Sequence, residues 1–147
     1  MHWFFRTKPL GSSKNSGGID MFLRPTRMEV RLDSIKANCR AIRGHVMKAT
    51  GRDTRIFGVI KANAYSLGAI PVAWALREAG VHYFIVATAD EALELRSGGI
   101  TDPVLVLGAS PYEAASEYVR YGIRATITDL EMAKALSAAS CRLGKKA

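Results

Sequence analysis

Lys61 is the residue of this 147-residue chain best placed for covalent chemistry. It ends the apolar run Ile56-Phe57-Gly58-Val59-Ile60 and is followed by Ala62-Asn63-Ala64-Tyr65-Ser66-Leu67-Gly68. The stretch reads as a buried strand that delivers a primary amine to its C-terminal end, then a turn and a helix. Side chains alternate along a strand, so Phe57, Val59 and Lys61 share one face. An amine at the rim of an apolar wall loses hydration of its charged form, and a neutral amine is a nucleophile toward aldehydes. Schiff-base chemistry needs such a group. Spacing alone favours a more ordinary role, since a lysine at a strand end is usually a solvated cap.

The surrounding residues change that balance. Val59-Ile60-Lys61-Ala62-Asn63-Ala64-Tyr65 resembles the signature of the alanine racemases, pyridoxal-phosphate enzymes with a (β/α)8 barrel. The family usually continues Gly-His-Gly, where this chain reads Ser66-Leu67-Gly68. The resemblance extends over about 21–140. It includes the Arg24-Pro25-Thr26 opening, Val86 to Arg96, Gly99-Ile100, and Pro103-Val104-Leu105-Val106-Leu107-Gly108. These other segments are apolar or capping residues and belong to the scaffold; the lysine motif is the specific part.

Composition is that of a soluble globular chain, with 21 Lys and Arg against 13 Asp and Glu, a net charge of +8. Part of that charge sits at the two ends, which read as solvated tails. No basic helix with interleaved aromatics supports nucleic-acid binding. No apolar run approaches the ~20 residues of a membrane span, and the opening Met1-His2-Trp3-Phe4-Phe5-Arg6 has too short an apolar core for a secretory signal, so the cytoplasm is the expected compartment. Cys39 and Cys141 are far apart and fit a reduced chain. His2, His45 and His82 lack metal-ligand spacing, and no metal site is expected.

The elements that must position Lys61 follow from periodicity. Residues 1–20 include Gly11-Ser12-Ser13-Lys14-Asn15-Ser16-Gly17-Gly18, linker composition, and read as an extension; 21–147 form the domain. Met28, Val30 and Leu32 alternate with charged residues and predict a strand. Asp33 is the expected N-cap of a helix carrying Ile35, Cys39, Ile42 and Val46 to about Thr50, stopped by Gly51. After the lysine strand, Ile70, Ala73, Trp74 and Arg77 mark a helix to Gly80. Strands are predicted at Tyr83 to Ala87, Val104 to Leu107 and Arg124 to Ile127. A capping box follows each: Thr88 with Glu91, Ser110 with Glu113, and Thr128 with Glu131. Strands alternating with helices every ~20–25 residues are parallel βα units.

Pattern alone leaves an open doubly wound sheet and a barrel both standing. No GxGxxG follows a strand, which weakens a dinucleotide-binding reading. The resemblance implies the barrel, here an α/β partial (β/α)8 TIM-type fold comprising the first four βα units of the alanine racemase N-terminal domain. A whole barrel takes ~250 residues. Four units leave two open sheet edges, so the isolated chain is expected to be marginal, oligomeric or aggregation-prone.

The resemblance implies interconversion of L- and D-alanine, which supplies D-alanine for peptidoglycan, by a homodimer using pyridoxal 5'-phosphate. Lys61 would hold the cofactor and act as one of two acid/base groups. Tyr65 would hydrogen-bond the cofactor phosphate, and Val59 and Leu107 would line its pocket, although both fit equally well as barrel core. Asn63 is expected to shape the turn after Lys61. The family's second base, a tyrosine from the C-terminal domain of the other subunit, lies downstream. Two other readings stay open: a racemase for serine or a broader set of amino acids, and a non-catalytic remnant or binding module that retains the fold half, with or without an aldehyde-reactive lysine.

Overall fold

Apolar triplets that recur before helices assemble into one parallel sheet. The computed structural model describes residues 28–147, so the expected extension at 1–20 and the Arg24-Pro25-Thr26 opening lie outside the described residues. The strands are β1 (Gly58–Val59), β2 (Phe84–Val86), β3 (Val104–Val106) and β4 (Ile123–Ala125), ordered β1-β2-β3-β4. The helices are α1 (Leu32–Thr50), α2 (Lys61–Tyr65, a single left-handed turn), α3 (Ala69–Glu78), α4 (Ala89–Ser97), α5 (Ala115–Tyr121) and α6 (Leu130–Leu143). A strand order without reversal separates the two architectures that the pattern left open. A doubly wound sheet changes direction at a switch point, whereas a barrel adds each strand beside the last. The chain is a partial barrel.

Register makes the two faces of the sheet unequal. Gly58, Phe84, Val104 and Ile123 form one row, and Val59, Ile85, Leu105 and Arg124 the next. The first row turns toward the helices. Phe84, Val86, Val104 and Val106 are fully buried there, each contributing about 1.5–3 kcal/mol. Gly58 is small for the same reason: a Cβ would lie 3.0 Å from Leu76 and 3.2 Å from Phe84. The second row faces the barrel interior, where Val59 is 41% exposed.

Helix ends hold the layers in place. At Gly51, φ is 67° and the N–H donates to Met47 O, stopping α1 where expected. Thr88 and Glu91 form the predicted capping box of α4. The other two predicted boxes are corrected. Ser110 instead bonds the Tyr118 hydroxyl, and Pro111 opens a 3-10 turn (Tyr112–Ala114) with no side-chain cap. Thr128 yields to Asp129, whose carboxylate accepts from Met132 N at 2.8 Å and caps α6. A carboxylate one residue closer to the helix is the stronger acceptor for its free N–H groups. The predicted strand at Met28 to Leu32 is also corrected: 28–31 carry no strand, and α1 begins at Leu32 with Arg31, not Asp33, at the N-cap. A strand needs a neighbour for its backbone groups, and β1 pairs only with β2 among the described residues. Leu32 packs against the core from the helix instead.

Arg96 staples the lower rim. Its guanidinium donates to the carbonyls of Ile100 at 2.7 Å, Asp102 at 2.9 Å, Tyr121 at 2.9 Å and Gly122 at 3.0 Å. Burial pushes this guanidinium below the usual arginine value, opposed by the Asp102 carboxylate. Replacing it leaves several carbonyls without a partner. Arg96→Leu is expected to lower stability by about 2–4 kcal/mol, read as a lower urea midpoint at unchanged slope. The Asp129 carboxyl is held below its usual 3.8, chiefly by the Met132 N–H. A carboxyl depressed by folding stabilises above its unfolded value and loses that contribution as pH falls through the folded one. The stability gap between the unaltered chain and Asp129→Asn is therefore expected to narrow below about pH 4 in thermal melts.

Candidate active site

The four residues singled out by sequence gather at the C-terminal edge of the sheet. Val59 lies in β1 and Lys61 two residues beyond it; Leu105 pairs into the same row and Leu107 lies two residues beyond that. Alternation places Val59 and Leu107 on the interior face, and Lys61 opens α2 just past the end of β1. Lys61 is half-buried, while Leu107 is 48% and Tyr65 59% exposed. Leu107 is fixed by N–H donation to Val86 O at 3.0 Å. The next residue must be glycine, because a Cβ on Gly108 would lie 2.5 Å from Ala87 O.

After Lys61 the backbone reverses its hand. Ala62, Asn63, Ala64, Tyr65 and Ser66 have φ of 51°, 53°, 52°, 56° and 69°. Ala64 N–H donates to Ile60 O at 2.9 Å and Ser66 N–H to Ala62 O at 3.0 Å, so this is a left-handed helical turn. Such geometry costs an L-residue about 1–2 kcal/mol. The sequence limits that cost by placing no β-branched residue in the turn. Ala64, 2% exposed, also leaves no room for a larger side chain.

Two side chains support the turn. Asn63 Oδ1 accepts from Ala69 N at 2.7 Å, capping α3 rather than bonding its own local backbone as expected. Glu91 was read from sequence only as half of a capping box. It reaches back across 29 residues, with Oε1 accepting from Ala62 N at 2.7 Å and Oε2 from Ala87 N at 2.7 Å. A contact between separate βα units leaves no signal in local spacing.

The other polar cluster lies elsewhere. Asp102 pairs with His82 at 3.0 Å and Arg77 at 3.2 Å, before β2 and β3 and so at the opposite end of the sheet from Lys61. Among the described residues no group of three or more His, Cys, Asp or Glu could hold a metal, and no helix is long and apolar enough to cross a membrane.

A parallel partial barrel with an amine at the C-terminal edge of its first strand is the arrangement of a barrel enzyme, whose chemistry sits at that edge. Comparison with known proteins specifies the family. The family model described as "Alanine racemase, N-terminal domain" matches residues 30–147, and the chain belongs to that family. It is 50% identical over 125 residues to alanine racemase 2 of Caldanaerobacter subterraneus, covering 85% of this chain and 31% of that protein. Among solved structures, it resembles the alanine racemase of Clostridium difficile in complex with cycloserine (TM-score 0.68, 37% identity, 79% of this chain and 30% of that one). It also resembles a histidine racemase from Leuconostoc mesenteroides (TM-score 0.65, 28% identity, 75% of this chain and 29% of that one). The chain thus spans about a third of the curated relatives it matches and corresponds to an N-terminal part of the racemase domain. The alanine racemases are pyridoxal-phosphate-dependent isomerases.

Ser66 stands where the family usually has glycine, yet keeps a φ of 69°. Relief of about 1–2 kcal/mol of strain exceeds the added freedom of the unfolded chain, about 0.4–1 kcal/mol. Ser66→Gly is accordingly expected to stabilise the chain by about 0.5–1 kcal/mol in urea titrations, although glycine lowers stability in an ordinary helix.

Proposed function

We propose that this chain is the lysine-bearing part of a pyridoxal-phosphate-dependent racemase acting on alanine. The observation that carries this reading is the placement of Lys61: a half-buried lysine just past the C-terminal end of β1, inside the matched region. The residues present fit the cofactor. A primary amine suits its aldehyde, the apolar side chains of Val59 and Leu107 suit the face of a flat ring, and the exposed phenol of Tyr65 suits its phosphate. When bound, the cofactor supplies an electron sink that acidifies the α hydrogen of an amino acid. Lys61 Nζ would hold the cofactor through its aldehyde and would take or return the α proton on one face. Inversion needs a second acid/base on the other face. By family resemblance this is a tyrosine of the partner subunit in a homodimer, acting in the cytoplasm to supply D-alanine for peptidoglycan.

One lysine and one tyrosine do not hold a phosphate tightly, so cofactor binding by these residues alone is weak and racemisation absent. Substrate identity stands apart from the lysine motif: a histidine racemase shares this part of the fold, which keeps an acceptor of serine or other amino acids as the second reading. The test is to incubate the chain with pyridoxal phosphate, reduce with borohydride and map the labelled peptide. Label on Lys61 that vanishes in Lys61→Ala, with no alanine turnover, is the expected result. Equal labelling of Lys61→Ala would make the chain a non-catalytic remnant, and robust turnover would overturn the incomplete-site argument.

A further inference from the structure

We infer that Glu91 is a positioning residue for Lys61, an inference that rests on the cofactor-lysine reading above. The Glu91 carboxylate joins two βα units. Oε1 accepts from Ala62 N at 2.7 Å; Oε2 accepts from Ala87 N at 2.7 Å and Thr88 N at 3.3 Å. Its own N–H donates to Thr88 Oγ1 at 3.3 Å, anchoring it at the start of α4. A helix cap uses only the Thr88 half of this arrangement. The bond to Ala62 lies outside any cap and ends on the first donor after Lys61.

Geometry gives that bond its consequence. The peptide between Lys61 and Ala62 is planar, so fixing the Ala62 N–H fixes ψ of Lys61 and the direction in which the chain leaves β1. Ala62 is exposed and begins a run of five positive-φ residues that L-chirality disfavours. A charged acceptor on a rigid strand-to-helix junction holds the donor where a water molecule would leave it free to rotate. The left-handed turn, and with it the aim of the lysine, is tied to the end of β2.

Glu91→Gln separates this role from capping. One amide oxygen can still serve Ala87 and Thr88, which turns the NH2 group toward the Ala62 N–H, donor against donor. Thr88→Ala does the reverse, weakening the cap and keeping the carboxylate. In Glu91→Gln we expect amide exchange at 62–66 to rise about tenfold or more while α4 stays protected. The Ala62 amide proton resonance should move upfield as its charge-assisted bond is lost, and borohydride trapping of pyridoxal phosphate on Lys61 should slow about tenfold. Thr88→Ala should loosen the first turn of α4 and leave the Ala62 resonance and the trapping rate unchanged. Equal behaviour of the two variants, or an unchanged trapping rate in Glu91→Gln, overturns the proposal. Should Glu91→Gln fail to fold, exchange of Ala62 in the unaltered chain decides: an unprotected amide rejects the bond and a protected one upholds it. Absence of any label on Lys61 in the unaltered chain would sink the racemase reading, while exchange and resonance still report whether Glu91 holds the turn.

Discussion

Side-chain alternation across a parallel sheet is the constraint on which the rest of this structure depends. Because Gly58, Phe84, Val104 and Ile123 share a row, the helices can close one face completely. The adjacent row is then committed to the barrel interior, and Lys61 follows two residues past Val59 at the end of the strand. A one-residue slip of β1 would turn Val59 into the helix layer and Gly58 toward the interior. The apolar core and the interior row are therefore consequences of a single register.

Against that regular background the turn after Lys61 is the costly feature. Left-handed backbone over five non-glycine residues persists only where the surroundings over-determine it. Here Asn63 holds the far end to α3, Glu91 holds the near end to β2, and buried Ala64 fills the space between. Asn63 and Ala64 belong to the turn itself, and the Glu91 support comes from the neighbouring βα unit. Strain of this kind trades stability for the placement of the residues it holds.

Much of the scaffold was readable in sequence. β2 and β3 are continuous apolar runs followed by a helix start, and Gly51 marks the end of α1 by the one conformation glycine enters freely. The lysine was readable because its motif is specific. The left-handed turn was not, since Ala62-Asn63-Ala64 is composed of residues that serve a right-handed helix or a turn equally well. Ser-x-x-Glu and Thr-x-x-Glu patterns also over-promised: Tyr118 draws off Ser110, and Asp129 outcompetes Thr128, while only Thr88 caps as its spacing suggests. Alternation at Met28 to Leu32 looked like a strand, but alternation reports a two-sided environment and cannot supply the neighbouring strand. Periodicity did not separate barrel from open sheet; the lysine motif's resemblance pointed to the barrel, and strand order, a long-range property that no window of sequence contains, agrees.

The Glu91 bond also has a direction in time. A polypeptide is made from its N-terminus, and Ala62 leaves the ribosome 29 residues before the carboxylate that holds it. Until β2 has paired with β1 and α4 has begun to wind, the segment after Lys61 has every reason to follow its chirality and coil to the right. The nascent lysine is thus unaimed while the first βα unit stands alone, and becomes aimed only as the second is laid beside it.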